Sequence, residues 1–168
     1  MTAQEYHKWS SSDGSTMAHL STQTLQELDR LCVRHHGGET GGILIGHYSR
    51  DRKTVEVLKA YPPPSDSVFS GWWFVRGTLG LTTILARLWK GNNRQYYVGE
   101  WHYHPSSNVN PSGTDHEQMG SIAQSRDYRC KSPILLIIGT NHAGYNRPIS
   151  ITVFPADSEP IPLITSTY

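Results

Sequence analysis

The chain has few of the features that mark secreted or membrane-bound proteins. It holds two cysteines among 168 residues, Cys32 and Cys130, far apart in the sequence. This scarcity argues against a disulfide scaffold and favours a cytoplasmic protein with reduced thiols. The longest apolar run, residues 134–138, is far shorter than the roughly 20 residues of a membrane-spanning helix. Residues 1–10 also lack the apolar core of a signal peptide.

The chain also lacks an excess of either charge. Fifteen basic residues face fourteen acidic ones, for a net charge of +1. A nucleic-acid or membrane surface would require a concentrated basic patch, so we expect neither partner. Hydrophobic residues make up 36% of the chain, with five Trp and nine Tyr, which is enough for a folded core. Residues 1–168 are predicted to form a single domain.

Apolar periodicity predicts one α/β domain with a mixed sheet. Predicted helices cover 22–36, 77–90 and 114–125, the first capped by Ser21 and the second burying Leu79. Predicted strands cover 41–46, 54–60, 95–102, 134–138 and 149–154. The prolines at 62–64 predict a loop over 61–70, and the tail, 157–168, is either an edge strand or loose.

Two histidines close to the end of a predicted strand form the most informative pattern. Side chains alternate along a strand, so His102 and His104 project from the same face. Asp115 follows in the first turn of the third predicted helix and can fold back toward them. Two imidazoles and one carboxylate leave a fourth tetrahedral position for water, which is the layout of a catalytic zinc site. Zinc lowers the pKa of that water to roughly 7.

A hydrolytic zinc site also needs a general base. Glu39 is the first candidate because it adjoins the glycine pair that begins a predicted strand. Glu100 is the rival, because alternation places it on the face of His102 and His104, and alternation alone does not exclude it as base or ligand. Ser112 can donate a hydrogen bond to a developing oxyanion, a contact worth about 3–4 kcal/mol when preorganised.

Several of these residues also have structural interpretations. Ser112 and Asp115 have the spacing of a helix capping box, which is compatible with a catalytic role. Cys32 lies on the apolar stripe of a helix and is predicted to be a core residue, whereas Cys130 beside Lys131 can be mildly activated. Core positions are predicted for Trp72, Trp73, Phe74 and Trp89, with a place in the substrate groove as the alternative for some of them. Surface or capping positions are predicted for His35, His36, His47, His116 and His142.

The spacing of the polar residues resembles a known family. His102-Tyr103-His104-Pro105, six residues, Ser112, two residues and Asp115 are similar to the motif of JAMM (MPN+) metalloproteases. The segment 39–46 resembles the catalytic glutamate and glycine-rich strand of that family. The resemblance implies zinc ligands at His102, His104 and Asp115, with Glu39 as acid/base and Ser112 as transition-state stabiliser. Tyr103 stands where the family usually has a small polar residue, and its bulk can alter substrate entry.

The resemblance also implies a fold and a function. The fold would be a three-layer, mixed-sheet α/β domain of the cytidine-deaminase-like JAMM type. The segment 97–102 is similar to the bacterial branch, whose isopeptidases accompany ubiquitin-like conjugation enzymes in CBASS-type anti-phage operons. The implied substrate is the C-terminal tail of a ubiquitin-like or conjugated protein, with a CD-NTase-type cyclase as a candidate partner. A non-catalytic MPN scaffold and a zinc peptidase for small or sulfur-carrier substrates are the alternatives.

Overall fold

The computed structural model describes residues 5–34, 37–70, 73–140 and 147–165. The helices are α1 (Thr22–Val33), α2 (Leu81–Lys90) and α3 (Gly113–Gln124). The strands are β1 (Tyr6–Ser10), β2 (Met17–Ser21), β3 (Thr40–Tyr48), β4 (Thr54–Ala60), β5 (Val68–Phe69), β6 (Phe74–Val75), β7 (Tyr96–Tyr103), β8 (Ile134–Ile138), β9 (Ile149–Val153) and β10 (Ile161–Thr165). Within the described part of the chain, no helix has the length and apolarity needed to cross a membrane.

Eight strands form a closed barrel in the order β1-β10-β9-β8-β7-β3-β4-β2, and β5 and β6 form a separate hairpin. The pairs β2–β4 and β7–β8 are parallel and the others are antiparallel. The predicted α/β class with a mixed sheet is confirmed. The sheet closes on itself, however, where the three-layer prediction expected a central layer between helices, and kinship with cytidine deaminases stays a prediction.

Two hydrophobic clusters lie on the two faces of the sheet. On β8, Leu136 belongs to the cluster that also contains Leu28 and Leu31 of α1. Its neighbours Leu135 and Ile137 belong to the other cluster, which contains residues of α2 and α3. All five β8 residues are buried, which explains their uninterrupted apolar sequence. Helices therefore cover both faces of the sheet around β8, which pairs with β7.

The helix predictions hold where the helix ends carry local signals. Ser21 caps α1, since its hydroxyl accepts a hydrogen bond from the backbone N–H of Thr24 at 3.0 Å. The predicted helix end at residue 36 is too late: α1 ends at Val33, with Arg34 as its C-cap. The predicted start of α2 is too early, because the Asp66 carboxylate accepts from the backbone N–H groups of Thr78 and Leu79 and holds them in a turn. Leu79, predicted to be buried, is 66% exposed.

The strand predictions locate β3, β4, β7, β8 and β9 within about two residues, which is the ordinary uncertainty of strand ends. The sequence does not predict β1, β2, β5 and β6. The tail does form a strand, β10, which pairs with both β9 and β1 and is therefore an interior strand of the barrel. Of the missed strands, β1 and β2 pair with each other and also with the distant β10 and β4, whereas β5 and β6 form a hairpin of two residue pairs.

The prediction that the tryptophan-rich segment is core is only partly correct. Phe74 is buried, but Trp73 and Trp89 are each 49% exposed. The Trp89 ring lies 5.2 Å from the Tyr96 ring and 5.2 Å from the Arg94 guanidinium, so a surface aromatic–cation cluster holds it. Trp72 lies outside the described residues.

Candidate metal centre

The β3–β7 ladder brings the two halves of the site together. Thr40 pairs with Tyr103 and Gly41 with His102 across this antiparallel pair. Glu39 directly precedes Thr40, so it lies at the end of the ladder where His104 follows β7. Residues separated by more than sixty positions are therefore neighbours because of strand register alone.

His102, His104 and Asp115 converge on one point. The Nδ1 atom of His102 lies 2.8 Å from Oδ1 of Asp115, and Nε2 of His104 lies 3.9 Å from Oδ2 of the same carboxylate. One potential ligand atom from each residue lies within 4.8 Å of the other two. Across the described ranges this is the only cluster of three or more His, Cys, Asp or Glu side chains with such geometry.

The N-terminus of α3 aims Asp115 at the histidines. Ser112 is the N-cap, and its hydroxyl accepts from the Asp115 N–H at 3.1 Å. In return, Oδ2 of Asp115 accepts from the backbone N–H of Ser112 at 2.7 Å and from its hydroxyl at 2.8 Å. The capping-box interpretation is thus correct. It also holds one oxygen of Asp115 while the other faces His102.

The charges at the site act on both carboxylates. Burial would raise the pKa of Asp115, but the hydrogen bond and electrostatic interaction with His102, together with the Ser112 donors, lower it to about 2. Burial raises the pKa of Glu39, and the charge of Asp115 raises it further, against the opposing effect of the two histidines. Glu39 therefore holds a proton more readily than an exposed glutamate, a property suited to general acid–base work.

The residues present can hold a divalent metal. His102 is buried, and its Nε2 atom has no hydrogen-bond partner among the described residues. A buried polar atom without a partner is costly and calls for a specific explanation. Two imidazoles and one carboxylate are the donor set of catalytic zinc sites. The orphaned nitrogen and the donor chemistry both fit a bound metal ion.

Gly41 leaves the space that His102 occupies. A Cβ atom at this position would lie 2.8 Å from Cδ2 of His102 and 2.9 Å from Cε1 of Phe74. The two rings meet edge to face, with centroids 5.9 Å apart. Phe74 was predicted as a core residue, with the substrate groove as an alternative, and no signal in the sequence indicates its contact with a candidate ligand. A glycine on β3 and an aromatic ring from β6 together confine the imidazole.

Glu100 is occupied by other partners. Its Oε2 atom accepts from Nε of Arg76 at 2.6 Å, and Oε1 accepts from the Tyr97 hydroxyl at 2.8 Å. Both members of the ion pair are buried. Burial lowers the pKa of Arg76, but the Glu100 carboxylate raises it more, so the guanidinium keeps its charge. Glu100 shares the strand face of His102 without joining the cluster of ligand atoms, and Arg76 is a site neighbour that the sequence analysis missed.

Tyr103 points away from the site. Its side chain is buried in the cluster that packs on α1, and its hydroxyl contacts the Thr140 hydroxyl at 3.3 Å. The Arg147 guanidinium lies 5.6 Å from the ring centroid. Strand alternation turns Tyr103 to the face opposite His102 and His104, and its effect on substrate entry stays a prediction.

The thiols and the other histidines discussed above lie outside the cluster of candidate ligand atoms. Cys32 and Cys130 are free and buried. Burial raises the pKa of Cys32 to about 12 and also raises that of Cys130, so the suggested activation of Cys130 is wrong. Nε2 of His47 lies 3.5 Å from Oε2 of Glu56 in a partly exposed contact, and His116 is exposed, as predicted. The predictions for His35, His36 and His142 lie outside the described residues.

The chain is similar to two proteins that are named as isopeptidases. The chain is 40% identical to a CD-NTase/cGAS isopeptidase of Enterobacter hormaechei subsp. hoffmannii (strain UCI 50) over 144 residues, 86% of this chain and 78% of that protein. It is 30% identical to a CD-NTase/cGAS isopeptidase of Pseudomonas aeruginosa (strain BWHPSA011 / Pa011) over 139 residues, 82% of this chain and 85% of that protein.

The fold has a solved counterpart. The solution structure of protein DSY2949 from Desulfitobacterium hafniense superposes with a TM-score of 0.62 at 19% identity, covering 88% of each chain. Residues 21–151 match the family model described as prokaryotic homologs of the JAB domain. This range contains every residue of the candidate metal centre. The predicted JAMM resemblance is confirmed: the chain belongs to the family of prokaryotic JAB-domain homologs.

Proposed function

We propose that the chain, as a single domain, is a zinc-dependent isopeptidase of the bacterial cytoplasm that acts in anti-phage signalling. It hydrolyses the bond after the C-terminal residue of a ubiquitin-like or conjugated protein tail. The observation that carries the proposal is the convergence of His102, His104 and Asp115 beside Glu39. Family membership and the two relatives named as isopeptidases support hydrolase chemistry.

The residues divide the work of hydrolysis among them. Bound zinc would supply Lewis-acid chemistry, lowering the pKa of water and polarising a carbonyl. Glu39 takes the proton of the attacking water on its carboxylate and passes it to the departing amine as the C–N bond breaks. Its raised pKa favours carrying that proton between the two steps. Ser112 lies exposed at the N-terminus of α3, where its hydroxyl can turn to the developing oxyanion.

The substrate tail has a surface on which to lie. The β5–β6 hairpin is a two-stranded sheet that carries the exposed side chains of Val68, Trp73 and Val75, while its Phe74 ring contacts His102. An extended tail can add to such a sheet edge through main-chain hydrogen bonds, with its side chains against the apolar residues. The names of the two relatives make a conjugated CD-NTase the first substrate to test.

The test is a metal measurement combined with a cleavage assay. Purified protein is expected to hold about one zinc per chain and to release the tail from a CD-NTase conjugate. His102→Ala and Asp115→Ala are expected to lose both properties. His116→Ala is the matched control, since His116 is an exposed neighbour of Asp115 and is expected to retain both.

Two results would replace the proposal. A chain that binds no stoichiometric zinc and cleaves nothing would be a protein-binding scaffold. Full activity on a short peptide, unchanged when the folded protein is absent, would indicate a peptidase for small substrates. The compartment is supported by the two free, buried thiols, which are typical of a reducing environment.

A further inference from the structure

A buried ion pair joins the β5–β6 hairpin to the strand that carries the candidate ligands. Arg76 follows β6 directly and Glu100 lies in β7. The side chains are 3% and 0% exposed, and the Nε–Oε2 distance is 2.6 Å. Arg76 also donates to the carbonyl of Gly77 at 2.7 Å and to the hydroxyl of Tyr128. Each of the three guanidinium nitrogens therefore donates a hydrogen bond, which fixes the position of this buried group.

The ion pair and a ring contact have the same spacing on both segments. Arg76 pairs with Glu100. Phe74, two residues before Arg76, contacts His102, two residues after Glu100. The segment from Phe74 to Arg76 therefore runs antiparallel to β7 and contacts it through these two side chains. One of these points is a candidate metal ligand. A shift of the ion pair along β7 would move the Phe74 ring relative to the His102 imidazole.

Among the described hairpin residues, the buried side chains are those of Phe74 and Arg76. At the base of the hairpin, the Asp66 carboxylate accepts hydrogen bonds from the backbone N–H groups of Thr78 and Leu79. The Ser67 hydroxyl accepts one from the N–H of Gly77, so these contacts join the two ends of the loop to each other. The described hairpin side chains Val68, Phe69, Trp73 and Val75 are each at least 40% exposed. Among the described residues from 66 to 80, only Phe74 and Arg76 are buried.

We propose that Arg76 and Glu100 are positioning residues, whose ion pair sets the hairpin against β7 and so aligns the substrate surface with the metal centre. The expected kinetic effect rests on the proposed function, whereas the expected effect on the position of the hairpin does not. Loss of the pair frees the hairpin, while the three candidate ligands, which lie in or next to β7 and in α3, would still be able to hold a metal. Substrate recognition is then weakened more than the chemical step.

The experiment compares Arg76→Met, Arg76→Lys and Glu100→Gln in the full chain. Hydrogen exchange of the β5–β6 amides is expected to quicken about tenfold or more in Arg76→Met, with β3 and β7 unchanged. Zinc content is expected to stay at the wild-type level. For a folded conjugate, KM is expected to rise about 10- to 100-fold with a much smaller change in kcat. Arg76→Lys, which keeps the charge, is expected to recover part of both effects.

Arg147→Met is the matched control. It breaks another arginine–carboxylate pair with the same 2.6 Å distance, to Asp29 on α1, and is expected to leave hairpin exchange and KM unchanged. If Arg76→Met does not fold, the nearly isosteric Glu100→Gln provides the same comparison. Wild-type hairpin exchange in both variants would overturn the proposal, as would equal losses in kcat, zinc content and global stability. A wild-type protein without isopeptidase activity would refute the proposed function, and the exchange result would still decide the position of the hairpin.

Discussion

Replacing Gly41 by alanine adds a methyl group where three groups already lie. The new Cβ would be 2.4 Å from the carbonyl oxygen of Trp101, 2.8 Å from Cδ2 of His102 and 2.9 Å from Cε1 of Phe74, against ordinary contacts of 3.4–4 Å. The carbonyl must retreat by about 1 Å and the rings by about half of that. Overpacking of this kind costs about 1–3 kcal/mol.

The displaced groups include a candidate ligand, so the change reaches the metal centre. The Trp101 carbonyl belongs to the ladder that pairs Gly41 with His102, and its movement shifts the strand on which the imidazole is mounted. Altered orientation of a ligand typically lowers metal affinity about 10- to 100-fold. A competition titration with a chromogenic chelator measures this loss. Thermal unfolding is expected to show a decrease of about 2–4 °C per kcal/mol for a chain of this size.

Gly120→Ala is the control for Gly41→Ala. Gly120 lies in α3, and a Cβ there would meet nothing within 4 Å among the described residues. This substitution is expected to raise stability by up to about 1 kcal/mol, because alanine favours a helix interior. Zinc affinity should not change. Wild-type zinc affinity and wild-type stability in Gly41→Ala would refute the argument that this glycine makes room for His102.

Three further outcomes are expected. Glu39→Gln should keep zinc and stability but lose turnover by about 100-fold or more, because no carboxylate remains to move the proton. Ser112→Ala should lose about 1 kcal/mol of stability as an N-cap and about 100-fold in kcat as an oxyanion donor. A chelator should abolish cleavage, whereas a thiol alkylator should not, since burial raises the pKa of both Cys32 and Cys130.

Each of these outcomes has a comparison that can contradict it. Loss of turnover with intact zinc in Glu100→Gln, but not in Glu39→Gln, would transfer the role of base to Glu100. Ser21→Ala removes the equivalent cap of α1 and should lower stability without lowering kcat. If Ser112→Ala behaves as Ser21→Ala does, the oxyanion role is lost. Inactivation by the alkylator at a rate matching cysteine modification would show that a thiol takes part.

Local signals in the sequence predict the elements that depend on local interactions. The strand predictions at 54–60 and 134–138 coincide with β4 and β8, whose apolar patterns match their buried faces. The N-cap of α1 and the capping box of α3 follow from Ser21 and Ser112, since each cap is completed within four residues. The start of α2 is different, because the carboxylate that delays it, Asp66, lies twelve or more residues away from its partners.

The sequence by itself determined which residues can bind a metal, and alternation along the strand predicted that His102 and His104 share a face. Spacing and side-chain type are sufficient for that, because strand alternation and ligand preference are local. Only the tertiary structure decided that the ladder places Glu39 beside the cluster and that Arg76 engages Glu100. It also decided that the strands close into a barrel. These depend on pairings between distant segments, whose register no local pattern encodes.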